Sequence, residues 1–277
     1  MGLRINTNVV ALNSHRVLTA NDNALGKSLV RLSSGLRINT ASDDAAGLAI
    51  AEKFRAQVNG LSMAMQNSQD AINLLQTAEG ALNETEAILQ RMRELSVQAA
   101  NDTLVTDDRT AIEEELDQLS AELDGIAGRT QYNTKNLLSG DFETTPMTFQ
   151  IGANETQTIS VTIADMSASG LTAQTSDISV SSHSFAAAAI TALDASIQSV
   201  SSQRAKLGAV INRLEHTINN LGVQRENMSS SESRIRDLDM AAEVSVMTRN
   251  QILTQSSQAM LAQANQAPQG VLSLLRG

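Results

Sequence analysis

The sequence predicts a mainly α protein: an elongated antiparallel helical bundle or coiled coil with a small β-hairpin region. Three observations point there. Apolar residues recur at helical spacing over most of the 277 residues, with sustained heptads in two long stretches. The core is built from Ala, Leu, Ile and Val, with no Trp, one Tyr, four Phe and two Pro, which suits narrow helix-on-helix seams. The helical pattern is interrupted only once at length, by a Ser/Thr/Asn/Gly-rich middle of period two.

The first helix is expected from about Asn8 to Leu32. Ala11, Leu18, Leu25 and Leu32 recur every seven residues, and Gly35 suits the left-handed residue just past the end. Leu3, Ile5, Val9, Val10 and Leu12 make the chain's opening apolar as well. The next helix starts near Ser42-Asp43-Asp44, where acidic groups favour a positive helix end. It carries one seam through Leu61, Met65, Ser68, Ile72, Leu75, Leu82 and Leu89. A second runs through Leu74, Ala78, Ala81, Ile88, Met92 and Leu95. Two stripes require neighbours on more than one side. To Ala100 the helix would span ~90 Å at ~1.5 Å per residue, so a break near Asn59-Gly60 is expected.

Asn101-Asp102-Thr103 interrupts the pattern. A third helix follows Thr106-Asp107-Asp108, with Ile112, Leu116, Leu119, Leu123 and Ile126 on its seam and a stop at Gly125 or Gly128. From 130 to 185 the period changes. Phe149 and Ile151 alternate, as do Ile159, Val161 and Ile163, and the Gly152–Gln157 segment between them predicts a hairpin. Asp165 to His183 reads as loop with one further short strand.

Then comes the most regular helix. Ile190, Leu193, Ile197, Val200, Leu207, Ile211, Leu214, Ile218, Leu221 and Met228 keep a 3-4 heptad, interrupted at a positions by Arg204 and Arg225. Ser229-Ser230-Ser231 predicts a hinge before a final helix, where Ile252, Leu253, Ser256, Ala259, Met260, Gln263 and Ala264 share a face. The organisation is mirrored, so the halves can pack antiparallel and bring the ends together. The domain boundaries expected are 1–41 with 235–277 for the paired ends, and 42–234 for a helical rod with its β-rich segment at 130–185. Lone helices such as the ends are marginal in water and need a partner.

Charge and composition exclude several function classes. Residues 1–55 carry net +3, 56–135 net −9, 136–185 net −5 and 186–277 net +1, giving −10 overall. No basic stripe marks a nucleic-acid protein. With no Cys, there is no disulfide framework and no thiol metal site. His15, His183 and His216 stand alone, without metal-ligand spacing, so neither metal nor cofactor is expected. Gly26-Lys27-Ser28 has the last letters of a phosphate loop but lacks its upstream glycine and strand. Glu113-Glu114-Glu115 reads as a solvated helix face, and Gln90–Leu95 as a face with i,i+3 pairs such as Arg91–Glu94. MGLRINTNVV lacks a basic-then-apolar secretory leader, and no run of about 18 apolar residues predicts a membrane span.

Long motifs at both ends resemble bacterial flagellin. At the start these are Ile5-Asn6-Thr7-Asn8, then Leu32-Ser33-Ser34-Gly35-Leu36-Arg37-Ile38-Asn39, running into Asp43-Asp44-Ala45-Ala46-Gly47-Leu48-Ala49-Ile50. At the other end they are Ser233-Arg234-Ile235-Arg236-Asp237, Met260–Gln266 and Pro268–Arg276. Phe149-Gln150-Ile151-Gly152 is similar to the family's hairpin, and Leu238 stands where the family commonly has a small residue. With about 55 residues between the helical halves, the chain resembles the short, two-domain kind.

The resemblance implies a structural, non-enzymatic subunit of the flagellar filament, used for swimming and extracellular after export without a cleaved leader. Its terminal helices would order on polymerisation, with assembly carried by Leu18, Leu25, Leu32, Ile252, Ala259, Met260, Ala264, Leu272 and Leu275. The partners implied are other copies of the chain, an export chaperone, the flagellar type III export apparatus, and hook-associated junction and cap proteins. Nucleic acid and membrane insertion are not among them. Arg91 and Leu95, with Glu115 on the facing helix, match the positions read by Toll-like receptor 5. A hook–filament junction protein shares the terminal motifs and is the alternative reading. An enzyme carried on the scaffold would need a site that the small middle region does not supply.

Overall fold

The computed structural model describes residues 7–171 and 178–276, and of residues 267–276 the backbone course. The protein is mainly α, with long helices packed on one another and two small antiparallel strand pairs. In chain order these are α1 (Val9–Ser34), α2 (Ala45–Ala99), α3 (Thr106–Arg129), β1 (Gln131–Tyr132), β2 (Lys135–Asn136), α4 (Asp141–Thr144), β3 (Met147–Gln150), β4 (Thr158–Val161), α5 (His183–Arg236) and α6 (Met240–Arg276). By packing the chain forms two units, Met1–Ala56 with Asn227–Gly277, and Gln57–Glu226.

In the terminal unit, each helix end has a local cause. Asn8 caps α1, its side chain accepting from the Ala11 amide at 3.0 Å. Gly35 stops it in the left-handed conformation (φ 70°), its amide donating to the Arg31 carbonyl. Asp44 accepts from the Gly47 amide at 2.9 Å and opens α2. Asp239 accepts from the Ala241 and Ala242 amides at 3.0 and 3.1 Å and opens α6. The breaks after α1 and after α5 meet in a clasp. Leu36 and Asp237 form an antiparallel bridge. The Arg37 amide donates to the Arg236 carbonyl at 2.7 Å, and the Leu238 amide to the Gly35 carbonyl at 3.0 Å. The Arg37 guanidinium donates to the Ile235 carbonyl at 2.6 and 3.2 Å.

In the other unit the core is a leucine ladder. Leu75, Leu82 and Leu89 of α2 and Leu193, Val200, Leu207 and Leu214 of α5 are fully buried, together with Leu116 and Leu123 of α3. The hairpin β3–β4 pairs Met147 with Val161 and Phe149 with Ile159, as the alternation predicted. Beyond it an irregular strap buries Ile163, Met166, Ala168 and Leu171, and then Ile178 and Val180. Polar pins hold the strap down: Gln203 donates to the Thr162 carbonyl at 3.0 Å, Asp124 accepts from the Ala168 amide at 2.8 Å, and Ser196 donates to the Leu171 carbonyl.

Two local expectations are corrected. Helix α2 does not break at Asn59-Gly60. Gly60 is glycine because Ala153 of the β3–β4 turn presses on it, and an added Cβ would lie 2.9 Å from the Ala153 Cβ. Helix α5 runs through Ser229-Ser230-Ser231, where the Ser231 hydroxyl bonds back to the Asn227 carbonyl at 2.8 Å. The actual stop is the clasp at Asp237. Helix α3 passes Gly125 and ends at Arg129, one residue past Gly128, as expected. Among the described residues of 165–183 there is no strand, and 172–177, the remaining place for the expected one, lies outside the described residues.

Candidate functional site

Helices α1 and α6 pack on each other, their backbones repeatedly approaching within 8 Å between Cα atoms. The residues that α1 turns inward include Ala11, Ser14, Leu18, Asn21, Leu25, Ser28 and Leu32, an unbroken alternation of three and four. On α6, between residues 241 and 266, the inward residues are Glu243, Met247, Asn250, Thr254, Ser257, Leu261 and Ala264, again at alternating spacings. Small and polar residues alternate along this seam with Leu18, Leu25, Leu32, Met247 and Leu261. Two hydrogen bonds cross it: Asn8 Nδ2 donates to the Ala264 carbonyl at 2.7 Å, and Asn21 Nδ2 to Ser257 Oγ at 3.0 Å. Glu243 Oε1 and Thr254 Oγ1 are buried there without a partner.

Most of the large apolar side chains of the pair point the other way. Val9, Val10, Leu12, Val17, Leu29 and Val30 of α1 are exposed, as are Val244, Val246, Ile252, Leu253 and Met260 of α6. This inverts the usual pattern, in which the apolar face is the one that is covered. An apolar surface of this extent on both helices of a pair marks a contact face.

The expected assembly residues divide between the two faces. Leu18, Leu25, Leu32 and Ala264 belong to the inner seam, the leucines half-buried and Ala264 buried. Ile252, Ala259 and Met260 are exposed on the outer face, Ile252 at 61% and Met260 at 59%. Leu272 and Leu275 fall on the helical backbone of α6, their side chains outside the described residues, as are Leu3 and Ile5 altogether. Reading the leucines alone overlooked Asn21, Ser28, Thr254 and Ser257. Their signal was present, since a polar residue that keeps the 3-4 spacing belongs to the seam.

A second surface lies in the other unit. Arg91 of α2 is exposed and reaches Glu115 of α3, its Nη2 at 2.8 Å and its Nε at 3.1 Å from the same carboxylate oxygen. Glu94, one turn along α2, approaches at 3.4 Å. The hydrogen bond and charge of Glu115, reinforced by Glu94, hold the Arg91 guanidinium more firmly protonated than usual. The pair edges a cleft of about 490 Å³ lined by Arg91, Leu95, Gln98, Leu104, Asp108, Ala111, Ile112 and Glu115. Leu95 belongs to the core, 2% exposed, and lines the cleft from below. The structure thus brings Arg91 and Glu115 together on the surface and places Leu95 beneath them.

Among the described residues no group of three or more acidic, His or Cys side chains could hold a metal ion. No helix among them is long and apolar enough to cross a membrane.

Residues 5–143 match the family model of the bacterial flagellin N-terminal helical region, and residues 190–275 that of the C-terminal helical region. The chain is 53% identical to the flagellin of Bacillus subtilis (strain 168), over 99% of this chain and 100% of that protein. It is 46% identical to the flagellar filament 33 kDa core protein of Treponema phagedenis, over 98% and 99%. Among solved structures, the crystal structure of Bacillus cereus flagellin superposes with a TM-score of 0.50 at 33% identity, covering 60% of this chain and 94% of that one.

Proposed function

The chain belongs to the bacterial flagellin family, a family of structural proteins and not of enzymes, and from that premise we propose that it is the repeating subunit of a flagellar filament whose contacts are made by the outward apolar faces of α1 and α6. The observation that carries the proposal is the inverted terminal pair. About a dozen large apolar side chains stay uncovered within one chain, and the uniform way to cover them is more copies of the chain. Contacts that repeat head to tail without closing give a helical filament.

The paired ends, 1–41 and 235–277, are the assembly segments in this reading, and 42–234 is the part around them. The ordering of the ends is offset by burial in the lattice. Export would use the flagellar type III apparatus and a chaperone without a cleaved leader. Junction and cap proteins of the hook and tip would meet the same terminal faces. Purified chain seeded with filament fragments is expected to give long helical filaments by negative-stain microscopy. Chains that stay monomeric under seeding would overturn the reading. The junction-protein alternative separates on abundance: a filament subunit is made in thousands of copies per cell, a junction protein in about a dozen.

The same reading extends to recognition of the monomer by Toll-like receptor 5. It is supported by the exposed Arg91–Glu115 pair beside a cleft. Arg91→Ala is expected to weaken receptor signalling by the monomer while leaving the thermal midpoint nearly unchanged, because the pair is exposed and solvent screens it. Unchanged signalling would remove the proposal. Leu95→Ala is a poorer probe, since truncating a buried leucine costs about 2–5 kcal/mol of stability.

A further inference from the structure

Helix α1 carries a second row of regular spacing that stays exposed among the described residues. The first row, from Ala11 to Leu32, is the one turned inward in the pair with α6. The second keeps the same alternation of three and four. Val9, Leu12 and Arg16 open it, and Asn23, Gly26 and Val30 continue it beyond Thr19, all of them exposed. At 3.6 residues per turn this row lies roughly opposite the inward one. A helix with two such rows is built to sit between two neighbours, and within the chain α6 fills one of those places.

Gly26 belongs to that exposed row, and the described residues give no reason for it. A glycine inside a helix weakens it relative to alanine. The usual reasons for keeping one are a left-handed backbone, a close contact or a break. Gly35 has the first, at φ 70°, and Gly47 the second, since an added Cβ would lie 2.8 Å from Cδ1 of Ile38. Gly26 has no left-handed φ and nothing within 4 Å of an added Cβ, and α1 runs through it unbroken from Val9 to Ser34. Gly80 of α2 is equally bare, but Gln76, Thr77, Asn83 and Glu84 one turn to either side are polar, so water serves there. One turn beyond Gly26 stand Leu29 and Val30, each 51% exposed. When helices pack, a side chain of one enters a hole bounded by four residues of the other. The hole at this point is bounded by Asn23, Gly26, Lys27 and Val30, and the glycine leaves it open on one side.

We propose that Gly26 is the point of closest approach between α1 and a helix of a second copy of this chain, received along the exposed row. The inference rests on the filament reading given above and names where that contact is tightest. The occupant is another copy because a flagellin subunit repeats, and each copy presents outward apolar side chains of its own, Ile252, Leu253 and Met260 of α6 among them. The glycine weakens the helix of the single subunit and lets the contact between subunits close. A methyl at this position has room in the subunit and none in the contact. One substitution therefore acts with opposite signs on the two states.

The test compares Gly26→Ala with the parent in the full chain. Thermal unfolding of the unpolymerised chain is followed by circular dichroism, and the critical concentration for seeded polymerisation by sedimentation. Gly26→Ala is expected to keep or raise the helical signal, since both the open space and helix propensity favour alanine. Its critical concentration is expected to rise about fivefold or more, the effect of one methyl forced into a close-packed contact. Gly80→Ala, the same change on a polar side, is expected to polymerise like the parent. A Gly26→Ala chain that polymerises at the parent's critical concentration would overturn the proposal, and would leave the row bare in the filament or covered by some other protein. A weaker helical signal in unpolymerised Gly26→Ala would overturn it as well, because the glycine would then serve a contact within the chain. An equal rise for Gly80→Ala would trace the effect to helix propensity and overturn it too. Failure of the parent chain to polymerise would count against the filament reading itself, and is seen before any variant is compared.

Discussion

A few side chains determine where the helices begin and end, and Asp43 shows how. Its carboxylate accepts from the Thr40 amide at 3.1 Å, the Thr40 hydroxyl at 3.1 Å and the Asn39 amide at 3.3 Å, with Arg31 at 3.8 Å. The Thr40 bonds, then Asn39 and Arg31, hold its pKa below the ordinary 3.8. A carboxyl lowered in the folded state stabilises it above the ordinary value, and that contribution is lost as pH falls through the lowered one. Asp43→Asn is therefore expected to lower the thermal midpoint at neutral pH and to make no difference in strong acid, well below 3.8. An equal deficit at both pH values would show that the carboxylate charge is not what ties the turn. The starts at Asn8 and Asp44 were visible in the sequence as residue types, because capping is local chemistry. The Arg91–Glu115 pair was not derivable that way, since it joins two helices whose relative rotation no local pattern specifies.

At the scale of elements, the helices were legible and their breaks were not. Apolar period carries helix existence, whereas Gly60 and Ser229–Ser231 look like breakers and are absorbed, Gly60 by packing on Ala153 and the serines by a bond within the helix from Ser231 to Asn227. Glycines inside α2 separate these two causes. Gly80 has nothing within 4 Å of an added Cβ, so Gly80→Ala is expected to stabilise by up to about 1 kcal/mol. Gly60→Ala drives a methyl into Ala153 and is expected to destabilise by about 1–3 kcal/mol despite the same gain in helix propensity. Denaturant unfolding of the two variants compares them directly, and a stabilising Gly60→Ala would show that the hairpin turn moves away freely. Helix α5 teaches a related point. Its row Leu193, Val200, Leu207, Leu214, Leu221 was read correctly and is buried, but Ile197, Ile211 and Ile218 sit half-buried at the flank. The second inward row holds Ala189, Ser196 and Gln203, two of which bond the strap. Sequence periodicity follows hydrophobicity, so it passed over a row whose burial depends on an irregular segment elsewhere. Arg204, beside that row, reaches Glu86 and Glu79 of α2.

For the whole molecule, the charge divides as the packing does. The terminal unit carries 11 basic and 8 acidic residues, net +3, which leaves net −13 for residues 57–226. A strongly acidic unit stays soluble by itself, whereas a near-neutral, outwardly apolar one invites association. Removing 235–277 is thus expected to abolish seeded polymerisation while most helical circular dichroism remains, because the leucine ladder lies wholly within 57–226. Collapse of the helical signal would contradict separate cores. The clasp between Leu36 and Asp237 carries one more consequence, and it concerns time. The bonds that join the terminal helices span 198, 236 and 256 residues of sequence, among the longest separations this chain can offer. Contacts so distant close late, after the local ones have formed. If the chain is exported end first, as proposed above, the terminus that emerges first would have no partner until the other arrives, and the adhesive pair would be the last part of the chain to form.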